Sequence, residues 1–267
     1  MIVSSSIFRE YDIRGTYPEQ LNEETIKIIA RAISVKCHKE GITTLAVGRD
    51  GRLSGESLLN AFCDGLINSG INVNNIGLVT SPLLYFAAKK QNSKSGIMIT
   101  GSHNPKNYNG IKMVINDQPV AGTEILSLIK DVDSENISAK GVIEYNDIKK
   151  DYIDEVCKNI NLKNPQKLKV VLDCGNGAAG CIAPDMFKKL GFEVHELFSE
   201  VDGNFPNHHP DPGKIDNLKD LISKVTELNA DVGLAFDGDG DRLGLVTNKG
   251  EVVFPDKLMM LFSEDIL

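Results

Sequence analysis

Two stretches of this chain share one pattern, and it narrows the fold more than any other feature. In each, an apolar run enters a polar, glycine-containing loop and leaves along a second apolar run: GIMIT-GSHNPKNYNG-IKMVI at 96–115 and VGLAF-DGDGDR-LGLVT at 232–247. Short apolar runs bounded by glycine and polar residues read as strands. The same alternation leads up to both. Before the first come a helix over 22–39 with Ile26, Ile29, Ala30 and Ile33 on one face and Gly41 past its end, a strand at 43–47, a helix with Ser54 as its cap, a strand ending near 79 and a helix from about Pro82. Before the second come a strand at 168–173, a glycine-rich turn, a helix to 190, a strand at 192–198 and a helix over 217–228. Strands alternating with helices predict a parallel-rich sheet. The expected fold class is therefore α/β, with two tandem similar α/β domains and mixed, largely parallel sheets. Ligands of such sheets gather at the carboxyl ends of the strands. Both loops lie there, one per domain, so the expected site is the interdomain cleft.

The 267 residues suffice for two cores. Residues 131–146, rich in Asp, Ser, Asn and Gly, read as a linker, followed by a polar helix over 148–159. The expected domains are 1–147 and 148–251. Residues 252–267, EVVFP and an apolar helical stretch with Leu258, Met259, Leu261 and Phe262, look like the start of a truncated third domain.

Charge excludes one class of partner. Lys+Arg 29 against Asp+Glu 37 leaves a net charge of −8, so the chain as a whole has no basic footprint for nucleic acid. No run approaches the roughly 18 apolar residues of a membrane span, and the first residues, MIVSSSIFREY, do not form a leader. No membrane partner and a cytoplasmic location are expected. The five cysteines, at 37, 63, 157, 174 and 181, are odd in number and form no CxxC, which argues against a disulfide framework or a zinc site.

The most telling local motif is Asp237-Gly-Asp239-Gly-Asp241-Arg242 on the end of an apolar strand. Three carboxylates at alternate positions, with glycines that let the loop curl, can converge on a hard cation such as Mg²⁺. The alternative, an exposed acidic turn, seldom sets three acids and an arginine directly on a core strand. An EF-hand would want Gly and Glu where Arg242 and Asn248 stand. At the equivalent place in the first copy is Thr100-Gly-Ser102-His103-Asn104-Pro105, whose serine can act as a nucleophile or carry a phosphoryl group. Alone it would pass for a turn held by side-chain hydrogen bonds. Arg14, Arg49, Arg52, Lys112 and Arg242 gather near the same strand ends, and arginine forks suit phosphate oxygens. For Arg49 and Arg52 a structural role, paired with acids such as Asp50, is as reasonable.

Two motifs point elsewhere. Gly175-Asn-Gly177-Ala-Ala-Gly180 follows a strand and matches GxGxxG, with Glu193 or Glu196 near the ribose-binding position of a dinucleotide fold. A tight turn with close helix packing explains these glycines equally well. His208 and His209 are adjacent, which disfavours chelation of one ion, and Pro206, Pro210 and Pro212 mark a rigid loop.

Taken together, FREYDIRG, VGRDGRLSG, ITGSHNPKNYNGIKM, VVLDCGNGAAG, EVDGNFPNHHPDPG and AFDGDGDR resemble the α-D-phosphohexomutases, most closely their bacterial phosphomannomutase/phosphoglucomutase branch. The resemblance runs in order from Phe8 to Arg242. It implies an enzyme that interconverts hexose 1-phosphate and hexose 6-phosphate (mannose, glucose or both) through a phosphoserine and a bisphosphorylated intermediate. It further implies Ser102 as the phosphoryl donor, Mg²⁺ held by Asp237, Asp239, Asp241 and the phosphoserine, and glucose or mannose 1,6-bisphosphate as activator. By the same resemblance Lys112 and Arg14 stand near the reacting oxygens, His103 beside the phosphoserine, Tyr11 with Arg14 and Ser102 on the substrate, and Arg242 beside the phosphoserine loop. Members of the family carry four domains. Two are absent here, so this chain is expected to be an incomplete N-terminal part, and a separate chain supplying the remainder is a conceivable partner. Two rivals stand beside this reading: a Mg²⁺-dependent phosphatase or phosphotransferase of the haloacid-dehalogenase type with Asp237 as nucleophile, and a non-catalytic module that binds a separate C-terminal half.

Overall fold

A computed structural model describes residues 3–132, 140–160 and 167–266. The chain divides into two compact units, Met1–Ile148 and Lys149–Leu267.

The first unit is built on a seven-stranded sheet. Its strands are β1 (Ile13–Thr16), β2 (Thr44–Arg49), β3 (Asn72–Leu78), β4 (Gly96–Ile99), β5 (Tyr108–Ile115), β6 (Gln118–Pro119) and β7 (Ile143–Tyr145). They lie in the order β1-β5-β4-β2-β3-β7, with β6 paired to β5. The β4-β2-β3-β7 part is parallel, and β5 returns antiparallel between β4 and β1. Helix α1 (Glu23–Lys39) begins where Asn22 Oδ1 accepts the Thr25 N–H at 3.0 Å and places Glu23 and Glu24 in its first turn, where the helix dipole favours acids. It stops at Gly41, whose φ of 71° lies in the left-handed region. Helix α2 (Gly55–Ile67) crosses it so closely that a Cβ on Gly65 would lie 2.7 Å from that of Ala30. Their apolar faces bury Ile26, Ile29, Ile33, Leu58, Phe62 and Leu66 against Leu45, Val47, Ile97 and Ile111 of the sheet, and each such side chain contributes about 1.5–3 kcal/mol. Helix α3 (Ser81–Lys90) sets Leu84 and Ala88 against Gly96, and α4 (Gly122–Leu128) buries Ile125 in the α1 and α2 core.

Two expectations change here. Ser54 stands at the N-terminus of α2 but its side chain makes no cap; its Oγ accepts from Asn109 Nδ2 at 2.9 Å instead. The end of the expected linker is ordered strand: β7 pairs with β3, because the backbone of Asn72–Leu78 otherwise presents an open edge. The linker's middle, 133–139, lies outside the described residues.

The second unit carries α5 (Lys149–Asn159), which buries none of its residues, then β8 (Lys169–Asp173), α6 (Ala183–Lys189), β9 (Glu193–Leu197), α7 (Lys219–Leu228), β10 (Val232–Phe236), β11 (Leu243–Thr247), β12 (Val252–Val253) and α8 (Pro255–Ile266). The sheet order is β12-β11-β10-β8-β9, parallel through β10-β8-β9 and antiparallel beyond. Helix α7 lies so near the sheet that a Cβ on Gly233 would meet Val225 at 2.6 Å and Leu221 at 2.8 Å. The order β11-β10-β8-β9 repeats β5-β4-β2-β3 of the first unit. In both, the functional loop is the connection from a parallel strand to its antiparallel neighbour. Among the described residues no helix is long and apolar enough to cross a membrane.

Candidate active site

The serine loop joins β4 to β5 and is held from beneath by a buried acid and a buried cation. Asp50, one residue beyond β2 and 1% exposed, accepts the Thr100 hydroxyl at 2.8 Å and the Gly101 N–H at 3.0 Å on Oδ2. Its Oδ1 accepts the Arg52 N–H at 3.0 Å. The Arg52 side chain is fully buried and its N–H groups all find acceptors: Nε the Asp50 carboxylate at 3.3 Å, Nη1 the carbonyls of Pro105 at 2.6 Å and Tyr108 at 2.8 Å, Nη2 those of Ser102 at 2.8 Å and Asn104 at 2.6 Å. Gly101 is obligatory, since a Cβ there would stand 2.1 Å from Arg52 Nε.

Ser102 is 3% exposed and has a φ of 49°, a left-handed backbone that costs a residue with a Cβ roughly 1–2 kcal/mol. Its N–H donates to Thr100 Oγ1 at 2.8 Å, and its Oγ lies 3.3 Å from Nδ1 of half-buried His103. Arg14, on β1 and 3% exposed, donates from Nε to Asp12 at 2.9 Å and from Nη1 to the Thr100 carbonyl. It thus braces the entrance of the serine loop. Lys112 lies half-buried on β5, in register with Met98 of β4. Tyr11 is 84% exposed on the segment before β1. Arg49 turns away, donating to the Asp50 carbonyl at 3.0 Å and pairing with Glu56 at 3.8 Å. The first unit therefore brings together Ser102, His103 and Arg14.

The acidic loop joins β10 to β11. Ligand oxygens of Asp237, Asp239 and Asp241 lie within 4.8 Å of one another, with the first two carboxylates buried. Asp237 Oδ1 accepts the N–H groups of Asp241 at 3.0 Å and Arg242 at 3.1 Å, and Gly240, at φ 71°, closes the turn. Three like charges gathered at partly buried positions repel unless a cation joins them, and an all-oxygen donor set suits a hard divalent ion. Arg242 is exposed at the end of the loop, beside an open cavity of 430 Å³ lined by Pro212, Leu243, Val252, Leu258 and Phe262.

The glycine run 175–180 underlies this loop. Gly177 packs against the back of Gly238, a Cβ there lying 3.0 Å from the Gly238 carbonyl, which accepts the Ala178 N–H at 3.0 Å. A Cβ on Gly180 would lie 2.0 Å from the Ser199 carbonyl. The run does not open an α-helix directly: a 3-10 turn, Ala178–Cys181, precedes α6. These glycines serve backbone packing, which removes the motive for a dinucleotide site. His208 is likewise engaged, its Nε2 3.0 and 3.1 Å from the two oxygens of fully buried Asp173 and its Nδ1 3.1 Å from the His209 carbonyl. Both ring nitrogens face acceptors, the arrangement of an imidazolium. Burial lowers the pKa of His208, but the bond and charge of Asp173 outweigh it and the net shift is upward.

Sequence reasoning had no assigned function for Asp173 and only a generic partner role for Asp50. Asp173 ends, and Asp50 directly follows, the strand of its unit next to the one that feeds the functional loop, a position that strand order alone reveals.

The comparisons with known proteins follow the same division. Residues 5–136 match the model of phosphoglucomutase/phosphomannomutase alpha/beta/alpha domain I, and residues 150–250 match that of domain II. The chain belongs to the phosphoglucomutase/phosphomannomutase family. Within it, the chain is 51% identical over 263 residues to a phosphomannomutase/phosphoglucomutase of Pseudomonas putida, covering 98% of this chain and 56% of that protein. It is 47% identical to a phosphoglucomutase of Neisseria gonorrhoeae, covering 99% of this chain and 58% of the relative. A crystal structure of a phosphoglucomutase/phosphomannomutase family protein from Burkholderia thailandensis superposes with a TM-score of 0.94 at 43% identity, over all of this chain and 60% of the other. The chain thus spans somewhat over half the length of these family members.

Proposed function

We propose that this chain carries the phosphoryl-donor and metal-binding portions of a cytoplasmic phosphohexomutase that interconverts the 1- and 6-phosphates of mannose, glucose or both. The observation that carries the reading is the placement of two loops at equivalent strand ends, one holding a strained serine and the other three converging carboxylates. Residues 1–147 and 148–251 would be the family's first two domains, with 252–267 leading toward a third. The remaining domains, in the same or a separate polypeptide, would grip the sugar and its non-reacting phosphate.

Phosphoryl transfer demands an in-line donor and acceptor and positive charge around the moving group. In the proposed reaction a phosphoryl group on Ser102 Oγ passes to the free hydroxyl of a hexose monophosphate: the serine O–P bond breaks, the sugar O–P bond forms, and the proton given up by the sugar hydroxyl is balanced by the one that the departing Ser102 Oγ takes up. The bisphosphate then returns its other phosphoryl group to Ser102, leaving the isomeric monophosphate. Asp237, Asp239 and Asp241, with the phosphoserine, would hold Mg²⁺, which when bound neutralises charge on the transferring group. His103, 3.3 Å from Ser102 Oγ, can take the hydroxyl proton when serine is the acceptor. Arg14 fixes the loop entrance through Thr100. Lys112 on the adjoining strand and the exposed side chains of Tyr11 and Arg242 would serve the reacting oxygens, the substrate and the phosphoserine loop. The five cysteines, none in a disulfide, suit a reducing compartment.

The test is intact mass with peptide mapping before and after incubation with glucose 1,6-bisphosphate and Mg²⁺. The expected result is one phosphoryl group on Ser102, absent from Ser102→Ala. A phosphoryl group on Asp237, or loading that survives Ser102→Ala, would sink the proposal and favour the aspartyl phosphatase.

A further inference from the structure

We infer that Arg52 is the positioning residue of the phosphoryl donor: its guanidinium, by collecting four carbonyls of the serine loop, holds Ser102 in the backbone conformation from which it reacts. The inference deepens the proposed function and rests on Ser102 being the donor.

Within the loop only short turns are bonded, among them Ser102 N–H to Thr100 Oγ1 at 2.8 Å and Asn104 N–H to the Gly101 carbonyl at 3.0 Å, and the φ of 49° at Ser102 is a conformation the residue would leave if released. The restraints that tie these turns together come from below. Arg52 Nη1 and Nη2 bind the carbonyls of residues 102, 104, 105 and 108, spanning the loop from the serine to the first residue of β5. A planar fork with five N–H groups can do this; a lysine, with three N–H donors on one atom, cannot reach four carbonyls and a carboxylate at once. Asp50 completes the frame by neutralising the cation and by binding the Thr100 hydroxyl and Gly101 N–H on the other side of the serine. Arg52 has no exposed surface with which to meet a substrate, so its effect on chemistry passes through the loop it holds. Every carbonyl it gathers is held in the geometry needed before the sugar arrives, which is the preorganisation that transfer reactions require.

The experiment compares the full chain with Arg52→Lys in two measurements. Hydrogen exchange of peptides covering 100–108 is expected to quicken at least about tenfold in the variant, as two or more charge-assisted bonds are lost, while peptides from 237–242 and from α1 keep their rates. Loading of Ser102 from glucose 1,6-bisphosphate is expected to slow at least about tenfold in maximal rate with the half-saturating bisphosphate concentration unchanged. Unaltered exchange at 100–108, a uniform rise throughout the first unit, or an effect confined to half-saturation would overturn the inference. If the wild-type chain does not load at all, the proposed function fails while the exchange measurement still decides whether Arg52 holds the loop. Should Arg52→Lys not fold, nitrogen-15 NMR of the wild-type guanidinium decides: its Nη–H protons are expected to exchange at the same rate as the loop amides, and fast guanidinium exchange beneath protected amides would refute the coupling.

Discussion

Replacing Gly101 by alanine tests the frame beneath the serine loop without touching the arginine. The new Cβ would lie 2.1 Å from Nε, 2.2 Å from Cζ and 2.7 Å from Nη1 of Arg52. Carbon and nitrogen atoms that are not bonded settle at about 3.5 Å, so the guanidinium must retreat by roughly 1.4 Å. Its bonds to the carbonyls of Ser102, Asn104 and Pro105 are now 2.6–2.8 Å and would stretch to about 4 Å, beyond hydrogen bonding. A flexible arginine on the surface would swing aside, but this side chain is fully buried. The variant leaves a buried cation short of partners, which costs about 3–5 kcal/mol. For a unit of this size that is a fall in melting temperature of about 10 °C. Gly41→Ala is the control: its φ of 71° is strained for alanine, but nothing lies within 4 Å, so about 1 kcal/mol is expected. The chain has no tryptophan, so calorimetry and far-ultraviolet circular dichroism are the suitable assays. If Gly101→Ala proves no less stable than Gly41→Ala, the account of a rigid guanidinium frame is wrong.

Asp239→Asn should weaken Mn²⁺ binding, measured by electron paramagnetic resonance as a probe of the acidic loop, by about tenfold or more, and in metal-free buffer should raise stability by about 1–3 kcal/mol through relief of like-charge repulsion. Equal destabilisation with and without metal would instead show that the loop's acids are structural. His208 has a folded-state pKa above its reference value of 6.5, so its pair with Asp173 contributes fully below about pH 6.5 and is lost as pH rises through the folded value. The stability gap between wild type and His208→Gln should therefore narrow with rising pH, and an imidazole NMR titration with a midpoint below 6.5 would contradict the ion pair. Burial pushes the thiols of Cys37, Cys63 and Cys174 up to about 12, whereas Cys157 and Cys181 are only half-buried. Native protein treated with a disulfide reagent should label the latter two first, and early labelling of Cys174 would refute the packing described for β8.

Much of the fold was legible because strands and helices leave periodic, local marks. The helix over 22–39 and the strands flanking both loops fall within a residue or so of α1, β4, β10 and β11, while β5 begins at Tyr108, three residues inside the stretch read as loop. The elements that escaped are those that depend on distant partners. β7 forms only because β3 leaves an edge open, and its own sequence, IEY, has no pattern. Ser54 looks like a cap, yet Asn109, 55 residues away, claims its hydroxyl. The residues of both loops could be named from their chemistry, and so could the pairing of Arg52 with Asp50, but not the loop carbonyls that Arg52 gathers or the acid that His208 meets. Arg52 reaches Tyr108 across 56 residues and His208 reaches Asp173 across 35, and neither spacing belongs to a helix or a strand.

The repeated strand order gives each unit the same underframe, since β2 and β8 hold the same place and each leads to a buried aspartate bound to a cation. The two cations differ in kind. Guanidinium stays charged at every pH a cell meets, whereas imidazolium gives up its proton close to neutrality. One unit is therefore clamped by a permanent charge and the other by a titratable one. As the medium turns alkaline, the serine loop keeps its frame while the turn behind Gly238 loses part of its own, so two units of the same strand order respond differently along the pH axis.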